Sequence, residues 1–367
     1  IESHGDTAIF TSGIDVDQGA PIVIDARLAG TTARFLTAVS ALRAGEVVIT
    51  GEDALRKRPM HDLHQALSDI GLDVSPLNGA GVLPVAVKRG EQKSDRVRIP
   101  ATTSSQFTSA LMLVAPKLPR GLAIVTEGEV VSQSYLDMTV GVQNSFGVTP
   151  IERGENVFRY DAGSYVGAQY EVEPDASSAS YPLAAAAIAG GRVVVSGLGR
   201  SSLQGDARFV DVLVRMGCQV EVTGDDVVLS RTQDQPLQGV TIDMRDMSDL
   251  VPTLAVVAAF AQTSTTITGV GFIRHKESDR IGDLVDGLVS LGCDVTEEQD
   301  GLLIRPVAVE NLVGTMLKTH EDHRLAMAWS LVALRVSGIV LDEPNVISKS
   351  WPEWWEVRSS LLATSGH

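Results

Sequence analysis

The chain has 367 residues, 44% of them hydrophobic and 21% charged, with 30 Lys and Arg against 46 Asp and Glu for a formal charge of −16. This much apolar content excludes a disordered or collagen-like chain, and the acidic balance argues against nucleic acid as a partner. Two cysteines, Cys218 and Cys293, exclude a disulfide framework and fit a reducing cytoplasm. The length suits two domains of about 180 residues each. The longest apolar runs, at 181–189 and 250–261, fall short of the ~20 residues of a bilayer span. The opening Ile1-Glu-Ser-His-Gly-Asp6 has no basic region followed by a hydrophobic one, so no signal peptide is read there.

In chain order, five segments repeat one plan: a small polar cluster, a helix-period apolar run, then a short β-rich strand. Thr31-Thr32 leads to the strand at 46–51, Ser104-Ser105-Gln106 to 122–126, and Ser177-Ser178 to 192–197. Ser248-Asp249 leads to 264–269, and Asp322-His323-Arg324 to 338–342. The polar starts fall at 31, 104, 177, 248 and 322, a spacing of 71 to 74 residues. A second landmark keeps step: Ile70-Gly71, Phe146-Gly147, Met216-Gly217 and Leu291-Gly292 each read as a helix end capped by a left-handed glycine before a strand. Each unit therefore reads helix, strand, helix, strand, strand, and the chain holds about five such units. Helix starts rich in Ser, Thr and Asp expose N–H groups that favour anions.

The few basic residues gather where strands end and helices begin. They are Arg56-Lys57-Arg58-Pro59-Met60, the run from Ile273 to Arg280, Asp322-His323-Arg324 and Ser348-Lys349-Ser350-Trp351-Pro352. Guanidinium forks match carboxylate and phosphate, which predicts a substrate with several negative charges. Glu277 adjoins Lys276, and Asp249 opens the preceding helix; two carboxylates in different surroundings can divide acid and base roles.

These motifs, together with Leu28–Leu36, Asp175–Tyr181, Gln204-Gly-Asp206 and Asp246–Asp249, closely resemble the 5-enolpyruvylshikimate-3-phosphate synthases, from about Gly30 to the C-terminus. The resemblance implies an α/β (α+β) fold of two domains, each built from βαβαββ units around an interdomain cleft. The expected division is 1–172 on the shikimate 3-phosphate side and 173–367 sharing the phosphoenolpyruvate site. The implied reaction moves the enolpyruvyl group of phosphoenolpyruvate onto the 5-hydroxyl of shikimate 3-phosphate, with neither metal nor organic cofactor. By similarity, Gly30, Arg58, Gln106, Arg280, Arg324 and Lys349 hold phosphoenolpyruvate. Ser104, Ser105, Gln106, Ser132, Asp249 and Lys276 hold shikimate 3-phosphate. The implied catalytic residues are Asp249 as base, Glu277 in protonating the methylene carbon, and Lys276 beside them. The expected partners are these two small molecules, with no nucleic acid and no membrane, for a cytoplasmic monomer.

Two departures stand out. The family's early Lys-Ser pair, with an Arg a few residues on, has no counterpart before Gly30, and Phe272 stands where many relatives carry Asn. The first leaves a non-catalytic, ligand-binding relative as an alternative. The sibling UDP-N-acetylglucosamine enolpyruvyl transferase uses a cysteine in a mobile loop, whereas Cys218 and Cys293 both fall in the Gly-Cys-x-Val landmark. Glyphosate acts on many relatives from the phosphoenolpyruvate side; Gly30 leaves room there, while Phe35 replaces a frequent Pro. His320 and His323 lack the further ligands a metal needs. His61 and His64 are read on an exposed helix, and Trp351, Trp354 and Trp355 are expected to pack the last helix on the core.

Overall fold

The computed structural model describes residues 2–10, 17 and 19–363; Ile1, where the N-terminal reading begins, lies outside them, as do 11–16, 18 and 364–367. Two compact units result, one of Ile1–Val130 with Val142–Gly167, the other of Val131–Gly141 with Ala168–His367.

The first unit opens on a hairpin of β1 (Glu2–His4) and β2 (Thr7–Ile9). Next come β3 (Ile22–Asp25), α1 (Gly30–Ser40), β4 (Val47–Thr50), the short α2 (Asp53–Arg56), α3 (His61–Asp69), β5 (Asp73–Pro76) and β6 (Val85–Lys88). These strands form a sheet in the order β3-β4-β6-β5, with β3 and β4 parallel and the other pairs antiparallel. The plan recurs in β7 (Arg96–Pro100), α4 (Ser105–Val114), β8 (Leu122–Glu127), α5 (Gln133–Ser145, grouped with the second unit as far as Gly141), β9 (Glu152–Gly154) and β10 (Val157–Tyr160), ordered β7-β8-β10-β9. A parallel pair needs a crossover, which the helix supplies, while a short turn suffices for the antiparallel pair that follows. Alternation places Val97 and Ile99 of β7 inward and its arginines outward.

The second unit repeats the pattern. Here lie α6 (Ala176–Ala189), β11 (Gly191–Val195), α7 (Phe209–Arg215), β12 (Gln219–Thr223) and β13 (Asp226–Arg231), with strands ordered β11-β13-β12. A full sheet, β14-β15-β17-β16, follows from β14 (Thr241–Asp243), α8 (Val251–Ala258), β15 (Thr265–Thr268), α9 (Arg280–Ser290), β16 (Asp294–Glu298) and β17 (Gly301–Arg305). The chain then forms β18 (Met316–Leu317), α10 (His323–Val332), the parallel partner β19 (Val340–Leu341), and α11 (Trp354–Ala363). The five complete or partial βαβαββ units match the 73-residue period, and the structure adds a parallel strand ahead of the first helix of a unit, as at β3, β7, β14 and β18, where the repeat showed none. The capping glycines behave as read: φ is +96° at Gly71, +76° at Gly147, +102° at Gly217 and +95° at Gly292, a region where a Cβ is costly.

Helices α6, α8 and α10 pack on one another and are apolar almost all round, every residue of α8 being buried. Such helices belong at the centre of a unit rather than on its surface. Their starts are consequently pinned by the core. Trp354 is fully buried and lies 5.6 Å from Tyr181 of α6, so α11 does dock on the core, with Trp351 and Trp355 half-buried beside it. His64 departs from expectation. It is 4% exposed, because the inward face of α3 also carries Leu63, Ala66 and Leu67.

Candidate active site

In the second unit, four cations meet three carboxylates. Arg280, the first residue of α9, is 1% exposed and donates from all three guanidinium nitrogens. Its Nε reaches Asp322 Oδ2 at 2.7 Å, Nη1 reaches Asp249 Oδ1 at 2.8 Å, and Nη2 reaches Glu277 Oε2 at 2.8 Å. Arg324 Nη2 donates to Asp249 Oδ2 at 2.8 Å, and Lys349 Nζ to Glu277 Oε1 at 2.8 Å. Lys276 Nζ lies 3.6 Å from Asp249 Oδ1 and 5.8 Å from the Phe272 ring. Local structure sets this convergence. Asp322 caps α10 by accepting from the Arg324 N–H at 2.9 Å, Asp279 caps α9, and Asp249 lies in the kinked 3-10 segment Arg245–Leu250 before α8.

Burial works against ionising Asp249, but Arg324, Lys276 and Arg280 outweigh it and hold the carboxyl well below its usual range. Burial likewise opposes charge on Arg324, and Asp249 more than restores it. The rim of the cluster is partly open: Asp249, Glu277 and Lys349 keep 16%, 17% and 19% side-chain exposure. An arriving phosphate or carboxylate can therefore compete for Arg324 and Lys349 without creating a stranded buried charge. His323 beside them is pushed down to about 4 by burial and then by Arg324, so it is neutral at pH 7.

Ser132, held at φ +57° and 3% exposed, donates from its hydroxyl to the Arg245 carbonyl at 3.3 Å, and Ser134 does the same to Asp246 at 2.9 Å. These bonds tie the start of α5 to the segment that carries Asp249. Burial, then Asp249, pushes the Tyr135 hydroxyl well above its ordinary range.

The first unit brings a second set together. Ser104 caps α4 by accepting from the Gln106 N–H, Ser105 is buried, and the Gln106 Nε2 donates to Thr31 Oγ1 at 3.1 Å. Arg58 sits over the start of α1, where a Cβ on Gly30 would lie 2.7 Å from its Nη1. Ala29 offers no side-chain cap to α1, unlike Ser104, Asp175, Asp279 and Asp322 at their helices.

Thus Asp249, Lys276, Glu277, Arg280, Arg324, Lys349 and Ser132 lie in one unit, and Gly30, Arg58, Ser104, Ser105 and Gln106 in the other. Sequence reading passed over four polar groups. Asp322, fully buried against Arg280, was seen only as a helix start. Arg34 and Tyr135 sat inside quoted or adjacent motifs without a role. Asp206 is buried, accepts from the Ser177 hydroxyl, and is raised to about 6 by burial and then Asp249. A charged residue in an otherwise apolar helix face, as at Arg34, was the available signal.

A model of the EPSP synthase family (3-phosphoshikimate 1-carboxyvinyltransferase) matches residues 2–357. The chain belongs to the EPSP synthase family. It is 40% identical to the 3-phosphoshikimate 1-carboxyvinyltransferase of Methanoculleus marisnigri over 91% of this chain and 78% of the relative. It is also 40% identical to that of Trichormus variabilis, over 89% and 76%. A pentafunctional AROM polypeptide of Lodderomyces elongisporus matches at 40% over 90% of this chain and 22% of its own length. Among solved structures, an EPSP synthase of Acinetobacter baumannii aligns with a TM-score of 0.73 at 25% identity, over 94% of this chain and 79% of that one. The fold is thus that of the two-domain enolpyruvyl transferases, and the family is one of transferases in aromatic biosynthesis.

Within this family the cysteines carry a further point. Cys218 and Cys293 are buried free thiols pushed up to about 11, in both cases by burial. A nucleophilic cysteine needs the opposite environment, one that favours the thiolate. Among the described residues no group of three His, Cys, Asp or Glu is arranged to hold a metal, and no helix is long and apolar enough to cross a membrane.

Proposed function

We propose that the chain transfers the enolpyruvyl group of phosphoenolpyruvate to the 5-hydroxyl of shikimate 3-phosphate, releasing phosphate by addition and elimination. One observation carries most weight: Asp249 is gripped by Arg280 and Arg324 at 2.8 Å each, with Lys276 alongside. A carboxylate so held is a weak base as it stands. Phosphoenolpyruvate would draw Arg280, Arg324 and Lys349 onto its own carboxylate and phosphate and so return basicity to Asp249. Asp249 then takes the 5-hydroxyl proton as that oxygen attacks C2, while Glu277 takes part in delivering a proton to the methylene carbon. In the second step the methyl carbon gives up a proton and the C2–O bond to phosphate breaks.

The remaining assignments follow the family pattern. Gly30, Arg58 and Gln106 join in holding phosphoenolpyruvate, and Ser104, Ser105, Gln106, Ser132 and Lys276 hold shikimate 3-phosphate. Cations that offset repulsion between two anionic substrates supply binding and orientation together. Phosphate release measured with both substrates tests the function: release that requires both supports it. Binding of both ligands without release would instead make the chain a non-catalytic relative. A cytoplasmic monomer without metal goes with this function, checked by light scattering and by an unchanged rate after chelation.

A further inference from the structure

Arg34 stands in the second turn of α1, 4% exposed, with its guanidinium 5.1 Å over the Phe107 ring. From Nη1 it donates to Gln106 Oε1 at 2.6 Å, and Nη2 reaches the Pro59 carbonyl at 3.5 Å. The other end of the Gln106 amide donates to Thr31 Oγ1 at 3.1 Å. A primary amide is nearly symmetric in shape, so a half-turn exchanges a donor for an acceptor at little steric cost. A cation facing one end removes that ambiguity, because the NH2 group cannot turn towards a guanidinium. The carbonyl of Gln106 then faces Arg34 inside the unit, and with one N–H given to Thr31 the amide has its second N–H left to offer.

We propose that Arg34 is a positioning residue that locks the Gln106 amide with its second N–H presented to substrate, so that Gln106 selects carboxylate or phosphate oxygens. This rests on Gln106 being a substrate contact. Arg34 itself touches no substrate. Its effect travels through Gln106, and the two residues must therefore behave as one unit when mutated.

Four full-length proteins test this: wild type, Arg34→Met, Gln106→Met and the double variant. Each single variant is expected to raise the KM for phosphoenolpyruvate roughly tenfold, with kcat within about threefold of wild type, and the double no more than either single. Arg34→Lys, which keeps a cation facing Oε1, should recover most of the loss. Additive effects, or failure of Lys to rescue, overturn the proposal. Should Arg34→Met not fold, Gln106→Glu serves, since it keeps an oxygen on Arg34 and replaces only the NH2. A KM raised by roughly thirtyfold or more is expected, and one within threefold overturns the proposal. An inactive wild type would sink the functional reading alone, because the lock has its own readout in 15N relaxation of the Gln106 side-chain amide. That amide should be rigid in wild type and below an order parameter of about 0.6 in Arg34→Met; equal mobility in both overturns the lock.

Discussion

Arg280 and Asp322 face each other with both side chains shut away from solvent, joined from Nε to Oδ2 at 2.7 Å and more loosely from Nη2 to Oδ1 at 3.4 Å. Removing one member of such a pair strands the other. Asp322→Asn keeps the cap on α10, since Asn also serves there, so its effect isolates the lost charge. Urea denaturation should show a loss of about 3 kcal/mol. A loss under about 1 kcal/mol would mean that Asp249 and Glu277 alone satisfy Arg280.

Asp249 is proposed as base, and Asp249→Asn changes its shape little. Turnover should fall by roughly 10²–10⁴ with substrate KM values little changed. Equal losses in turnover and binding would count against the role.

Arg324 grips Asp249 and is proposed to turn to phosphoenolpyruvate when that arrives. Arg324→Ala should raise the KM for phosphoenolpyruvate by roughly ten- to a hundredfold, the effect of a lost charged hydrogen bond. An unchanged KM contradicts the assignment.

A methyl at Gly30 would press on the far ends of Arg58, at 2.7 Å, and Arg34, at 3.2 Å. Both are long, adjustable side chains, so Gly30→Ala should leave the melting temperature nearly unchanged. The displaced Arg58 should still raise the KM for phosphoenolpyruvate several-fold. Melting curves and initial rates on one preparation separate the two, and a large drop in stability would show that the arginines cannot yield.

His64 is buried among apolar side chains, and burial followed by His61 lowers it to about 4. Since the unfolded imidazole titrates near 6.5, the unfolded state takes up the proton first. Stability is therefore full above about 6.5 and falls as pH drops from there to about 4, by roughly 3 kcal/mol in all. His64→Met should flatten that limb when unfolding is followed against pH. The same slope in both proteins would place the acid sensitivity elsewhere.

Much of the arrangement was legible because it is periodic. The polar starts at Ser104 and Asp322 proved to be caps, and Gly71, Gly147, Gly217 and Gly292 proved left-handed. Two starts read differently in detail. Asp175, not Ser177, caps α6, and Thr31 is the second residue of α1, where Ala29 at the N-cap gives no side-chain cap. A cap is decided by one backbone angle, which composition does not reveal. His64 was misplaced for a related reason: its polarity pointed outward while its position in α3 turned it inward.

Sequence alone determined the repeat, the helix starts, the placement of cations at strand-to-helix junctions and, through these, the family. Such features are local, since spacing and residue type fix the order of elements and where positive charge can collect. Only the tertiary structure decided that Arg280 is shared among Asp249, Glu277 and Asp322, residues up to 42 positions from it in the chain. It alone gave Arg34 its hold on Gln106, 72 residues away. Burial sets how strongly a charge needs a partner, and which partner is within reach depends on packing between helices that the sequence does not record.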